Sequence, residues 1–305
     1  MPRARAASVV ARSMTSAGEK PMCSKNSRLE TKSSNTACAT PEFFGPIGRR
    51  LVEFSGIGAG ESVLDVGCGR GAVLFPVAES VGQSGEVLGI DLSEEMVKYT
   101  AGDARDRGLR QVRTAVMNGQ APDYPAGRFD AVIGGFSVFI WTHGSTELKP
   151  YRTLLRPGGR FAASAPSFFP TATGKWGFLP EDVHDLLLPH MTEPKNGAAY
   201  DCPFTNIHNN WLVTPEAVGA TLTGAGFVAV EVREEDLLIT VDSGAQWVEW
   251  TRSHGMRRLW DRLSEQEGKE LADEVARRLD ALRGADGIIT LPTPIVYMRS
   301  RTPQD

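Results

Sequence analysis

VLDVGCGRGA, residues 63–72, sets the architecture expected of this 305-residue chain. SVLDV (62–66) reads as a buried strand carrying Asp65; Gly67, Gly69 and Gly71 follow, and then the helix AVLFPVAESV. Glycines at such a turn let the backbone bend tightly and approach a ligand with no Cβ in the way. Taken alone, the turn has several readings. Gly67-x-Gly69-x-x-Ala72 satisfies a dinucleotide-binding fingerprint, Asp91 at the end of the next strand suits a ribose in more than one setting, and a structural glycine turn has the same letters.

On the N-terminal side, PEFFGPIGRRLVEFSGI places Phe44, Ile47, Leu51 and Phe54 at helical spacing, in a helix ending near Gly56. On the C-terminal side come a strand EVLGI (86–90), a helix capped by Ser93 with Glu94 and Glu95 in its first turn, and strands VRTAV (112–116) and FDAVIGGF (129–136). A helix around Glu147 to Leu155, the turn RPGG and a strand RFAASA (160–165) complete the series. Strands alternating with helices predict a parallel sheet covered on both faces, with ligands beyond the carboxyl ends of its strands. The rhythm breaks over 166–213, a stretch with six prolines, Trp176, Trp211 and three histidines that reads as an insertion capping the site. It resumes with a helix capped by Thr214 with Pro215 at its first position, then a strand FVAVEV (227–232). A Trp-bearing segment follows, then MRRLWDRLSEQEGKELADEVARRLDALR, read as one amphipathic helix with a solvated face, and a closing strand IITLPTPIVYMR.

Composition narrows the classes. Hydrophobic residues are 41% and charged residues 23%, ordinary globular usage, which excludes wholesale disorder, collagen and coiled coil. The formal charge of -4 lacks the basic footprint of a nucleic-acid binder and favours a small-molecule partner. Residues 1–40 are Ser-, Thr- and Ala-rich and carry seven Lys or Arg against two Glu, so they are expected to form a disordered or loosely attached tail, with a transit peptide or a later start codon as alternative explanations. No run of 18 apolar residues and no secretory signal is present, so no membrane partner and a cytoplasmic location are expected. Cys23, Cys38, Cys68 and Cys202 have no CxxC spacing, and His184 and His190 are six residues apart, off a common helix face, so no metal site is expected.

Together these residues resemble the class I S-adenosylmethionine-dependent methyltransferases. VLDVGCGRG looks like their first motif, GIDLSEEMV their second, MNGQAPDYPAGRFDAVIGG their third and fourth, and LRPGGRF the turn into their fifth strand, over about residues 43–165. Four motifs in order are far more specific than one glycine turn, and no Tyr-x-x-x-Lys pair supports a nicotinamide oxidoreductase. The resemblance implies an α/β, Rossmann-like, seven-stranded and mostly parallel sheet with an antiparallel closing strand, and S-adenosylmethionine as cofactor. It puts Asp65, Gly67, Cys68 and Gly69 around the cofactor's methionine end, Asp91 on its ribose hydroxyls, and Leu92 and Met96 beside its adenine. Asn118 stands where many relatives have an acidic residue, Gly119 and Gln120 complete that wall, and Gly134, Gly135 and Phe136 lie beside the sulfonium.

Methyl transfer is an in-line displacement that gains most from positioning and exclusion of water; a base is needed only for a nucleophile of high pKa. His143, seven residues past Phe136, is the candidate base, with His208 and His254 as alternatives and a solvated loop histidine as its plain reading. Trp141, Trp176, His208, Trp211, Trp247 and Trp250 are candidates to line an acceptor pocket, although Trp247 and Trp250 at helical spacing also read as core. The expected activity is methyl transfer to an O, N or C atom of a small aromatic or hydrophobic metabolite. The rivals are a nicotinamide enzyme and a cofactor-binding protein that catalyses a rearrangement. A homodimer through the long charged helix is a further reading without its own signal.

Overall fold

The computed structural model describes residues 9–10, 43–172, 174–175, 177, 179–192, 211–254 and 256–304. Its sheet is built from strands β2 (Ser62–Val66), β3 (Glu86–Asp91), β4 (Val112–Val116), β5 (Phe129–Gly135), β6 (Leu155–Pro166), β7 (Val228–Val241) and β8 (Ile289–Arg301) in the order β7-β8-β6-β5-β2-β3-β4. A two-residue strand, β1 (Val9–Val10), adds parallel to the edge of β7. Neighbours from β6 to β4 run parallel, while β8 pairs antiparallel with both β6 and β7. Apart from β1, this is the mostly parallel seven-stranded sheet with one antiparallel closing strand that the family resemblance implies. Strand order reverses between β2 and β5, and ligands of open α/β sheets bind outside such a switch point.

All five residues of β2 are buried, the polar Ser62 and Asp65 together with Val63, Leu64 and Val66, because helices cover both faces of the sheet. Helix α1 (Phe44–Ser55) buries Ile47, Leu51, Val52 and Phe54 and stops at Gly56, whose φ of 68° is the left-handed cap conformation. At Gly48 it comes so close to the glycine turn that a Cβ there would lie 2.0 Å from the Ala72 carbonyl oxygen. That approach brings the start of α1 to the switch point. Helix α2 (Leu74–Val81) follows the turn. Helix α3 (Glu94–Asp106) is capped by the Ser93 side chain, which accepts from the Met96 N–H, and α4 (Lys149–Leu154) precedes β6.

Between β6 and the next regular helix lies α5 (Glu181–Thr192), which packs on the helices near the C-terminus. Helix α6 (Pro215–Gly224) starts as expected, with Thr214 accepting from Ala217 N–H. Strand β7 runs well past residue 232, because eleven consecutive residue pairings with β8, from Glu231 to Val241, hold it extended. Helices α7 (Gly244–Arg252), α8 (Arg257–Trp260) and α9 (Glu265–Asp280) fill the connection from β7 to β8. The single helix expected over 256–283 is therefore two. The break falls where Ser264 and Glu267 form a reciprocal capping box that starts a new helix. Arg50 reaches across from α1 to clasp the buried Glu235 of β7 with two 2.6 Å hydrogen bonds. Among the described residues no helix is long and apolar enough to cross a membrane.

Candidate active site

The loop after β2 is anchored to the end of β3. Gly67 and Cys68 both donate their N–H groups to the Ile90 carbonyl, at 2.8 and 2.9 Å, and Gly69 donates to Asp91 Oδ2 at 2.9 Å. Asp91 Oδ1 accepts from Ser93 N–H at 2.9 Å, and Thr100 Oγ1 donates to the Gly69 carbonyl at 2.6 Å. Gly67 (φ 72°) and Gly69 (φ 47°) are left-handed; a Cβ on Gly69 would meet nothing within 4 Å, so this backbone faces open space. With Gly71 N–H donating to Cys68 O, the N–H groups of residues 67, 68, 69 and 71 all have protein partners. A pyrophosphate cradle needs such groups free, which argues against the dinucleotide reading of this turn.

Electrostatics point the same way. Asp65 is fully buried, and neither carboxyl oxygen has a hydrogen-bond partner among the described residues. Burial, with the neighbouring Asp91 carboxylate adding to it, pushes its pKa up to about 8; the Leu74 N–H opposes this from a position outside hydrogen-bond geometry. Two acids beside an open glycine turn suit a ligand with cationic and hydroxyl groups. Asp91 spends one lone pair of each oxygen on the backbone and keeps the others for vicinal hydroxyls. Leu92 is 75% exposed directly beyond Asp91, an apolar surface left open for a flat ring, and Met96 is half-buried one turn later. The orphaned acid, the open glycine backbone and the exposed leucine fit S-adenosylmethionine.

Asn118 and Gln120 are exposed past the end of β4, and Asn118 Oδ1 accepts from Gln120 N–H at 3.0 Å. Gly119 is held from behind: Trp141 Nε1 donates to the Tyr151 hydroxyl at 2.9 Å, which donates to the Gly119 carbonyl at 2.7 Å. A Cβ on Gly119 would come within 3.1 Å of the Trp141 ring, so the structure puts Trp141 against the Gly119 wall. Cys68 turns its thiol into the core against Gly89 and Leu74, where burial raises its pKa, so the loop offers only its backbone at that position.

Across the switch point, β5 ends in Gly134, Gly135 and Phe136. Phe136 has φ 54°, uncommon for a bulky residue, and its N–H donates to Ser164 O at 3.0 Å. Ser137 then donates to the Val66 carbonyl at 2.5 Å and packs on Gly67, joining the two loops. The Phe136 ring meets Phe43 at 5.4 Å, Phe44 at 5.8 Å and Phe139 at 6.1 Å. Phe43 also meets Trp250 at 5.0 Å, and Trp250 lies 4.5 Å from His254.

Of the residues singled out from sequence, Trp250 and His254 therefore reach the Phe136 cluster. Trp247 packs behind Trp250 at 6.3 Å and is buried, as is Trp211. His143 is exposed, between a 3-10 turn at Val138–Ile140 and another at Thr146–Leu148. Trp176 and His208 lie outside the described residues. Phe43 and Phe44 were missed as site residues; they stand at the start of a helix, where spacing reports its buried face and nothing about a neighbour ninety residues on.

Residues 63–159 match the family model described as a methyltransferase domain. The chain is 38% identical over 267 residues to nocamycin O-methyltransferase of Saccharothrix syringae, covering 85% of this chain and 92% of that one. It is 41% identical over 190 residues to aklanonic acid methyltransferase of Streptomyces sp. strain C5, covering 61% and 83%. Among solved structures, the YcgJ protein of Bacillus subtilis shares the fold, with a TM-score of 0.54 at 16% identity over 85% of this chain and 99% of that one. With the glycine turn, the paired acids and the switch-point geometry already in place, this similarity over most of both chains means that the protein belongs to the class I S-adenosylmethionine-dependent methyltransferases.

Proposed function

We propose that the chain methylates an oxygen of a small, apolar, aromatic acid. The observation that carries this reading is the ring cluster of Phe43, Phe44, Phe136, Phe139 and Trp250 at the carboxyl end of β5, directly across from the glycine turn. Flat apolar molecules bind among such rings, and their faces favour a neighbouring sulfonium. The names of two relatives, an O-methyltransferase and a methyltransferase of aklanonic acid, support oxygen as the acceptor atom and an acid as the acceptor class.

In this reading Asp65, Gly67, Gly69, Asp91, Leu92, Met96, Asn118, Gly119 and Gln120 hold the cofactor, which supplies an electrophilic methyl group when bound. Asp65 balances its ammonium group, Asp91 takes the ribose hydroxyls, and the residues around Phe136 exclude water and align the acceptor oxygen with the methyl group. An acid is already ionised at neutral pH, so no side chain has to remove a proton, and His143 is not required as a base. The expected cap over 166–213 falls in part outside the described residues; the enzyme works in the cytoplasm without nucleic acid or membrane.

Incubation with S-adenosylmethionine labelled in its methyl group, together with a panel of polycyclic aromatic acids and the matching phenols and amines, tests this by mass spectrometry. Labelled methyl esters or enol ethers are expected. Transfer to amines alone, or cofactor binding with no transfer to any of them, would overturn the proposal.

A further inference from the structure

The ring cluster holds one buried polar group that the reading above does not use. His254, just beyond α7, stacks on Phe43 at 6.3 Å with an interplanar angle of 16°, meets Phe44 edge-on at 6.1 Å and lies 4.5 Å from Trp250. Phe43 and Phe44 both touch Phe136, so His254 stands one ring away from the residue that closes β5. Its Nδ1 accepts the N–H of Met256 at 3.4 Å. A ring nitrogen that accepts carries no proton, which places the proton of the neutral imidazole on Nε2. Neutral is the state at physiological pH, because burial holds the pKa of this ring down, at about 4. The residue keeps part of its surface open, yet Nε2 itself is buried and has no hydrogen-bond partner among the described residues. Buried donors in folded proteins are nearly always paired, so an unpaired one beside the proposed acceptor cluster marks a position for a ligand atom.

We infer that His254 binds the methyl acceptor by donating its Nε2–H to an acceptor oxygen, serving as a hydrogen-bond donor and not as a base. The inference rests on the methyl-transfer reading and deepens it by naming the acceptor's second functional group. A donor at this place calls for an oxygen that is not itself methylated: the other oxygen of a carboxylate, or a carbonyl beside an acidic enol. One oxygen held by His254 leaves its partner free to attack. The O–CH3 bond then forms as the S–CH3 bond breaks, the bonding pair stays on sulfur, the anionic and sulfonium charges cancel, and no proton changes hands at the imidazole. A simple phenol or alcohol has no such second oxygen and would leave Nε2–H unpaired, so the same contact discriminates among aromatic acceptors.

The test uses the full chain saturated with S-adenosylhomocysteine and titrated by calorimetry with anthracene-2-carboxylate and, separately, with 2-methylanthracene. His254→Phe keeps a ring in the cluster and removes the N–H; His254→Gln can return an N–H near the position of Nε2. The carboxylate should bind at least about tenfold more weakly to His254→Phe, the size expected for one lost hydrogen bond, and His254→Gln should recover most of that loss. Neither substitution should change the affinity for S-adenosylhomocysteine or for the methyl compound. Equal carboxylate affinity in wild type and His254→Phe overturns the inference, as does a wild type that takes S-adenosylhomocysteine and refuses the carboxylate. A wild type that fails to bind S-adenosylhomocysteine fails the methyl-transfer reading instead. Nitrogen-15 spectra of the wild-type histidines give a readout that does not depend on the variants folding: a His254 protonated on Nδ1, or on both nitrogens, at neutral pH overturns the donor assignment.

Discussion

Asp65→Asn should make the empty protein more stable and the cofactor harder to bind. In the unfolded chain the Asp65 carboxyl titrates near the ordinary value of about 3.9. In the fold it is pushed up to about 8, so the folded state holds a proton that the unfolded state has released. Stability linked to this group is therefore complete below about pH 4, falls by roughly 1.4 kcal/mol per pH unit above it, and levels off past about pH 8. At pH 7, about three units above the unfolded value, the loss is about 4 kcal/mol if nothing relaxes, and on the order of 2–4 kcal/mol once water entry and backbone adjustment are allowed. Asparagine cannot ionise, so wild type and variant should unfold alike near pH 4 and separate as pH rises, the variant melting roughly 5–10 °C higher at pH 7. Binding runs the other way. A cation beside Asp65 favours the ionised carboxyl, so at pH 7 wild type should release about 0.9 proton per S-adenosylhomocysteine bound, the protonated fraction for a pKa of about 8. Calorimetry in phosphate and in Tris, whose ionisation heats differ, measures that release. Melting curves of the two proteins that stay parallel from pH 5 to pH 8, together with no proton release in wild type, would refute the reasoning.

Asp91→Ala should weaken S-adenosylhomocysteine binding by roughly 2–3 kcal/mol, since it removes the ribose acceptor and also frees the Gly69 and Ser93 N–H groups; Asp91→Asn, keeping one acceptor oxygen, should lose less, and an unchanged calorimetric affinity in a folded variant would remove Asp91 from the site. Gly67→Ala places a Cβ 2.5 Å from that of Ser137 at a φ of 72°, so urea unfolding should show a loss of about 2–4 kcal/mol, and a loss under about 0.5 kcal/mol would contradict the packing described. His143→Ala, at an exposed position, should leave turnover within about threefold, whereas a fall of about 100-fold would restore it as a general base.

Local signals in the sequence determined the sheet and the glycine turn at its switch point. The strand and helix alternation, the Ser93 and Thr214 caps and the left-handed glycines after β2 depend on residues within a few positions of one another, so spacing and residue type are enough to read them. The Ser264 and Glu267 capping box was equally local, and reading through it merged α8 and α9 into one helix. Tertiary structure alone decided the ring cluster around Phe136. Phe43 and Phe44 come from the start of α1, Phe136 from the end of β5, and Trp250 and His254 from the end of α7, and they meet only because the sheet brings those ends together. The same holds for Trp141, which Tyr151 ties to Gly119, and for β7, whose length is set by its pairing with β8. Hydrophobic periodicity reports which face of an element is buried; what it is buried against is settled when distant segments pack, and His254 Nε2, without a hydrogen-bond partner among the described residues, is buried only in that packed arrangement.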